Sequence, residues 1–162
     1  MGLLPEAGPQ TYYFATSSLA SCCLRGDVRV DTWDGRTKRA DAVEVGDRLY
    51  GLDREGNPAA QTVEYLITAY EPCLRVTIGG KTFVCSTTHG FMGEDRKWIA
   101  ARDLVPGETR LRGRTDEPVL VERVASLDFE NVYSWSNSPD ENFFSEGVMQ
   151  ATIPNKPGVS DA

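Results

Sequence analysis

The stretch that organises the chain is Cys22-Cys23-Leu24-Arg25-Gly26-Asp27, which is followed by an alternating Val28 and Val30. Taken alone, a cysteine that opens a predicted strand before a Gly-Asp turn is ordinary. Further along, Ser86-Thr87-Thr88-His89 contains the only histidine of the chain. Because cysteine nucleophiles are commonly activated by a neighbouring imidazole, the two stretches together predict a catalytic site.

Composition limits the classes of protein to which the chain can belong. With 162 residues, of which 40% are hydrophobic, it is long enough to bury one substantial core. A net charge of -7 disfavours a nucleic-acid partner, which lysine and arginine would have to bind. No apolar run approaches the ~20 residues of a membrane-spanning helix, and no signal peptide is evident. We therefore expect a cytoplasmic protein, or a virion component if the chain is encoded by a phage.

The four cysteines support the same expectation. Cys22, Cys23, Cys73 and Cys85 show no C-x-x-C spacing, so they predict neither a disulfide framework nor a zinc site. A reducing compartment, which keeps a thiol nucleophile available, fits best. We expect no metal and no cofactor.

The region 88–111 repeats the plan of the region 27–52. With a shift of sixty-one residues, identical or similar residue types coincide: Arg36 with Lys97, Ala40 with Ala101, Val43 with Leu104, Gly46 with Gly107, and Asp47 with Glu108. Each half is too short to bury its apolar face alone. The repeat therefore predicts two related, strand-rich halves that close on each other.

A β-hairpin is predicted at Leu74 to Ser86, because Gly79-Gly80 supplies the positive φ values of a two-residue turn. This loop places Ile78 opposite Lys81, Val76 opposite Phe83, and Leu74 opposite Cys85. Alternation then puts Cys85 on the core face, as an apolar filler rather than a nucleophile. Ser86 faces the other way, at the point where the Ser-x-x-His segment leaves the hairpin.

These motifs resemble the Hint family, which comprises inteins, bacterial intein-like domains and the autoprocessing domain of hedgehog proteins. The resemblance implies an all-β horseshoe of two pseudo-twofold-related halves. It divides the chain into an N-terminal flanking arm (1–22), which carries the aromatic patch Tyr12-Tyr13-Phe14, a Hint domain (23–152) and a tail (153–162).

In the family, the first cysteine of Cys-Leu-x-Gly-Asp attacks the carbonyl of the preceding residue. Carried onto this chain, the resemblance makes Cys22-Cys23 the scissile bond and Cys23 the nucleophile. We expect His89 to protonate the departing nitrogen. Ser86, which stands where the family usually has threonine, offers its hydroxyl or its backbone N–H to the carbonyl region of Cys22.

The C-terminal pattern keeps the family's frame but changes its chemistry. In Val132-Tyr133-Ser134-Trp135, Ser134 replaces an aspartate that is thought to assist the nucleophile, and Glu141 replaces the histidine before Asn142-Phe143. The closing His-Asn falls on Ala151-Thr152. Without that asparagine, cyclisation and splicing are not expected. Asp140 and Glu141 are the nearby candidates to replace the missing aspartate, with Ser134 itself an auxiliary residue.

Three functions remain open from the sequence. The first is an autoprocessing domain that forms a thioester at Cys22-Cys23 and cleaves itself once, with its own N-terminal segment as substrate and water, an amine or a thiol as acceptor. The second is a catalytically silent domain with a structural role in a larger protein assembly, such as a virion. The third, a thiol protease acting in trans, suits the junction least.

Overall fold

The computed structural model describes residues 23–115 and 117–152, and the regular secondary structure of this part of the chain is almost entirely β-strand. The predicted all-β class is confirmed, whereas the predicted arm (1–22) and tail (153–162) lie outside the described residues. Three-residue 3₁₀ turns are found at Ala40–Ala42 and Ala101–Asp103. The strands are β1 (Leu24–Arg25), β2 (Arg29–Asp31), β3 (Thr37–Arg39), β4 (Arg48–Leu52), β5 (Pro58–Ile78), β6 (Lys81–Ser86), β7 (Gly90–Met92), β8 (Trp98–Ala100), β9 (Arg110–Arg112), β10 (Pro118–Ser138), β11 (Asn142–Ser145) and β12 (Val148–Ala151).

Three antiparallel sheets contain these strands. The largest has the order β4-β5-β6-β1-β10-β9, the second β11-β12-β7-β8, and the third consists of β2 and β3. The long strands β5 and β10 also pair with each other over most of their length, with register shifts that let them bend from one sheet region to the next. No helix in the described ranges is long and apolar enough to span a membrane.

The internal repeat predicted from the sequence is confirmed by the placement of the elements. The starts of β2 and β7, of β3 and β8, and of the two 3₁₀ turns each differ by sixty-one residues (90 − 29, 98 − 37 and 101 − 40). Gly46 and Gly107, which follow the two 3₁₀ turns at equivalent positions, have φ values of 95° and 81°. Both therefore occupy the left-handed region that favours glycine.

The predicted hairpin has the expected register. Ile78 pairs with Lys81, Val76 with Phe83, and Leu74 with Cys85. Cys85 is fully buried, as predicted for an apolar filler.

Both halves contribute to one main hydrophobic core, so neither apolar face is left uncovered. Its fully buried members with under 1% exposure are Leu24, Val30, Leu49, Val76, Ile78, Phe83, Cys85, Phe91, Ala101, Leu111 and Val121. Residues from the first half and from the second half both appear in this set, which is the mutual closure that the repeat predicts.

Asp31 joins the first half to the C-terminal hairpin β11–β12. Its buried carboxylate accepts the backbone N–H groups of Glu146 and Gly147, each at 3.0 Å. Asp31→Ala leaves both donors without this acceptor, and we expect a loss of about 2 kcal/mol in the free energy of unfolding, measured by urea titration. Asp31→Asn, which keeps one acceptor oxygen, should lose less. A free energy of Asp31→Ala unchanged within experimental error would contradict this assignment.

Candidate active site

Cys23 lies directly before β1, between two longer strands. Leu24, the first residue of β1, pairs with Cys85 of β6 on one side and with Tyr133 of β10 on the other. In antiparallel pairing the next positions along β6 and β10 are opposite Cys23. These positions are Ser86 and Ser134, so two of the predicted site residues flank the predicted nucleophile.

Ser86 links the backbone of Cys23 to the backbone of His89. Its N–H donates to the carbonyl oxygen of Cys23 at 3.0 Å, and its own carbonyl oxygen accepts the N–H of His89 at 3.1 Å. Two groups of Ser86, its hydroxyl and its backbone N–H, are predicted from the sequence as donors to the carbonyl region of Cys22. The backbone N–H donates instead to the carbonyl of Cys23, the next residue along the chain. The buried Ser86 hydroxyl has no hydrogen-bond partner in the described part of the chain, and it remains the candidate donor.

The turn that carries His89 is the symmetry counterpart of the turn that follows Cys23. Val28 N–H donates to the carbonyl of Arg25 at 3.0 Å, just as His89 N–H donates to that of Ser86. The carbonyls of Val28 and His89 each accept the first N–H of a 3₁₀ turn, both at 2.8 Å. Val28 is a buried core residue. His89 therefore occupies a position that the fold, in its other copy, fills with an apolar side chain.

The imidazole of His89 is fully buried between aromatic rings. The ring of Phe91 lies edge-on at 5.0 Å between centroids, and that of Phe143 at 6.4 Å. His89 Nε2 is 2.7 Å from Gln150 Oε1, whereas Nδ1 has no hydrogen-bond partner among the described residues. Burial lowers the pKa of His89 to about 4, and the hydrogen bond to Gln150 opposes that shift. At neutral pH the ring is therefore uncharged.

The low pKa of His89 makes the stability of the fold depend on acidity. The unfolded chain takes up a proton below pH 6.5, whereas the folded chain does so only near pH 4. Folding stability is therefore complete above about pH 6.5 and falls as the pH drops towards 4, by about 2 kcal/mol between pH 7 and pH 5.

Urea unfolding at these two pH values measures this loss. His89→Gln, which cannot titrate, corrects for the carboxylates that also titrate in this range. We expect the unfolding free energy of the native sequence to drop by about 2 kcal/mol more than that of the variant. Equal drops would show that the imidazole is not held neutral by burial.

Three further residues are predicted to assist the nucleophile: Ser134, Asp140 and Glu141. The hydroxyl of Ser134 is buried without a hydrogen-bond partner in the described ranges. The carboxylate of Asp140 accepts the Gln61 amide at 3.0 Å, and the Asp140 N–H donates to the same amide at 2.8 Å. Glu141 has a φ of 61°, and its carbonyl accepts the N–H of Thr152 at 3.4 Å. A catalytic role of Asp140 or Glu141 stays a prediction.

The other two described thiols are poor candidates for the nucleophile. Cys73 packs in one cluster with Cys23, and burial raises the pKa of Cys73 to about 11, with the carboxylates of Glu130 and Glu71 adding to the shift. Burial likewise raises the pKa of Cys85. Both thiols are therefore protonated at neutral pH.

Several buried amides were not singled out in the sequence, among them Gln150 and Asn142. Gln150 contacts His89, and Asn142 exchanges two hydrogen bonds of 2.9 Å with the backbone of Leu52. A signal did exist for Gln150, because it is a lone polar residue inside the apolar stretch Val148-Met149-Gln150-Ala151. Polar side chains in such stretches are hydrogen-bonded when buried.

Solved structures of inteins share this fold. The bacterial intein-like domain from Clostridium thermocellum is 18% identical, with 81% of this chain and 98% of that chain aligned at a TM-score of 0.74. A DnaB intein from Synechocystis is 12% identical over 80% of this chain and 97% of that chain, at a TM-score of 0.73. The gp41-1 intein is 17% identical over 80% and 98%, at 0.68. No protein-family profile and no curated protein sequence matches the chain. The chain thus has the all-β Hint fold that its motifs predict.

Proposed function

We propose that this Hint-fold chain is an autoprocessing domain that cuts the peptide bond between Cys22 and Cys23 through a thioester, without splicing. One observation carries the proposal. Ser86 bonds through its backbone to both Cys23 and His89, and the His89 ring has a buried Nδ1 with no hydrogen-bond partner in the described ranges. An unpaired buried nitrogen costs folding free energy, and a catalytic role is one reason for a protein to keep such a group.

The reaction needs a thiol, a proton carrier and a donor for the oxyanion, because an amide is a poor electrophile with a poor leaving group. Cys23 Sγ attacks the carbonyl carbon of Cys22, and its proton passes to His89 Nδ1. The hydroxyl of Ser86 donates to the carbonyl oxygen as it becomes negative. The carbon–nitrogen bond then breaks, and Nδ1 returns the proton to the nitrogen of Cys23. One carbon–sulfur bond has replaced one carbon–nitrogen bond, with no net gain or loss of protons.

The thioester is released by an external nucleophile. Water gives a carboxylic acid at Cys22 and restores the Cys23 thiol, while an amine or a small thiol takes the acyl group instead. Ala151 and Thr152 stand where the family has its closing His-Asn, so no asparagine is available at those two positions to cyclise. The N-terminal segment is therefore cut off rather than joined to a following segment.

A silent structural domain is the second candidate, and one contact favours it. The carboxylate of Asp140, a nearby substitute for the aspartate that Ser134 replaces, is bonded to Gln61. With Asp140 held in this way, the chain has fewer groups available to activate the thiol. In this case the domain would serve as a folded part of a larger protein assembly.

Incubation of the purified chain with dithiothreitol, followed by intact mass, separates these candidates. Loss of the segment up to Cys22 in the native sequence, but not in Cys23→Ala or His89→Ala, supports autoprocessing. An unchanged mass over days supports the structural role. Cleavage of an added peptide while the chain stays whole would instead support a protease acting in trans.

A further inference from the structure

Gln150 is the polar partner of the His89 ring. It lies on β12 between β11 and β7, where it pairs with Phe143 and Phe91, and it is fully buried. Its Oε1 is 2.7 Å from His89 Nε2. The two aromatic side chains offer no strong hydrogen-bonding group to the ring, so this contact determines which ring nitrogen carries the proton.

The second hydrogen bond of Gln150 fixes the orientation of its amide. Nε2 of Gln150 donates to the carbonyl oxygen of Val148 at 3.4 Å. If the amide were turned over, its oxygen would face the Val148 carbonyl, and two acceptors would meet. Oε1 therefore faces His89, and since an amide oxygen only accepts, His89 Nε2 must be the protonated nitrogen.

The neutral ring has one proton, so a proton on Nε2 leaves Nδ1 with its lone pair. That nitrogen is buried and lacks a hydrogen-bond partner in the described part of the chain. Burial also lowers the pKa of His89 to about 4, which keeps the ring neutral at working pH. Among the described residues, Gln150 is the one side chain that shifts this pKa in addition to burial, and it is uncharged.

We propose that Gln150 is a positioning residue that holds His89 as the Nε2–H tautomer, so that Nδ1 is the nitrogen that takes and returns the proton. When Nδ1 is protonated, Gln150 Oε1 continues to accept the Nε2–H of the cation. The tautomer stands on geometry alone, whereas its effect on cleavage rests on the proposed autoprocessing function.

The tautomer can be measured without cleavage. Because the chain has a single histidine, a ¹⁵N–¹H long-range correlation spectrum contains one imidazole, and a Cys23→Ala background keeps the chain intact. We expect Nε2 protonated and Nδ1 bare with Gln150 present. Gln150→Leu removes the acceptor and should give a mixture of tautomers, while Gln150→Glu should keep Nε2–H and raise the pKa of the ring. A protonated Nδ1 in the parent would overturn the tautomer assignment. The same pure Nε2–H tautomer in Gln150→Leu would overturn the role of Gln150 in holding it.

The effect on the reaction is measured with Cys23 present. Gln150→Leu should slow cleavage about tenfold or more, and Gln150→Glu should cleave faster than Gln150→Leu because it retains the acceptor. Equal rates for the native sequence and Gln150→Leu would refute the positioning role while leaving autoprocessing intact. If the native chain does not cleave but shows the expected tautomer, the proposed function fails and the tautomer assignment stands. Should Gln150→Leu not fold, the spectra of the parent and of Gln150→Glu still decide the assignment.

Discussion

Cys23→Ala is expected to abolish release of the segment that precedes it. The substitution removes the sulfur that would form the thioester, and the described thiols Cys73 and Cys85 are buried with raised pKa values. We expect no released segment by intact mass over a period in which the native sequence is fully cleaved.

Cys73→Ala is the matched control, because Cys73 packs in the same small cluster as Cys23 but has no role in the proposed chemistry. It should leave the cleavage rate within about a factor of two, which corresponds to well under 1 kcal/mol in the activation barrier. Cleavage that persists in Cys23→Ala, or stops in Cys73→Ala, would place the nucleophile elsewhere.

The second large effect is expected at His89. Removing the group that carries the proton to the leaving nitrogen should slow cleavage by roughly two to four orders of magnitude. His89→Ala tests this, but it also opens a cavity between Phe91 and Phe143, which pack against the ring. His89→Gln is the better variant because it fills more of that space and cannot carry a proton at neutral pH.

The pH profile gives a further check on His89. A histidine with an ordinary pKa would produce an inflection near pH 6.5, whereas a pKa of about 4 predicts none there from the imidazole. The rate in the native sequence should decline only as the pH approaches 4. An inflection near pH 6.5 that disappears in His89→Gln would contradict the buried, neutral ring.

The sequence predicted those features that depend on local rules and on repetition. The Gly79-Gly80 turn fixed the register of its hairpin, and the shift of sixty-one residues predicted paired elements such as the turns at Ala40–Ala42 and Ala101–Asp103. The first feature depends on neighbouring residues alone, and the second is visible because one pattern occurs twice in the sequence. Tertiary contacts then only reinforce them.

The full length of β5 and β10 was not predicted. Each strand runs for 21 residues, but the pairing between them shifts register at three places along β10: between Val121 and Arg123, between Ser126 and Phe129, and between Ser136 and Asn137. At such shifts the buried face changes sides, and a single alternating pattern cannot extend through them. Regular alternation is confined to shorter stretches, among them the hairpin end of β5.

The hydrogen-bond partners of Asp31 and Gln150 also could not be predicted from the sequence. Asp31 bonds to residues 146 and 147, and Gln150 to His89, so both contacts depend on how the two halves close. A buried polar residue can be suspected from its apolar neighbours, but its partner cannot be named before the topology is known.

The two halves of the fold differ at the position of His89. One half has Val28 in the core, and the equivalent position in the other half holds His89, whose neutral state burial enforces. A buried imidazole contributes less to folding than an apolar side chain, and its pKa makes stability fall in acid. Departures of this kind from the best choice for folding are typical of functional positions.

Trapping the acyl intermediate with hydroxylamine tests the central claim most directly. Hydroxylamine converts a thioester to a hydroxamate, and fragmentation mass spectrometry then identifies the residue that carries it. The autoprocessing account predicts a released segment that ends in a Cys22 hydroxamate, together with a domain that begins at Cys23. A chain that stays intact in hydroxylamine, or a hydroxamate on any other residue, would contradict it.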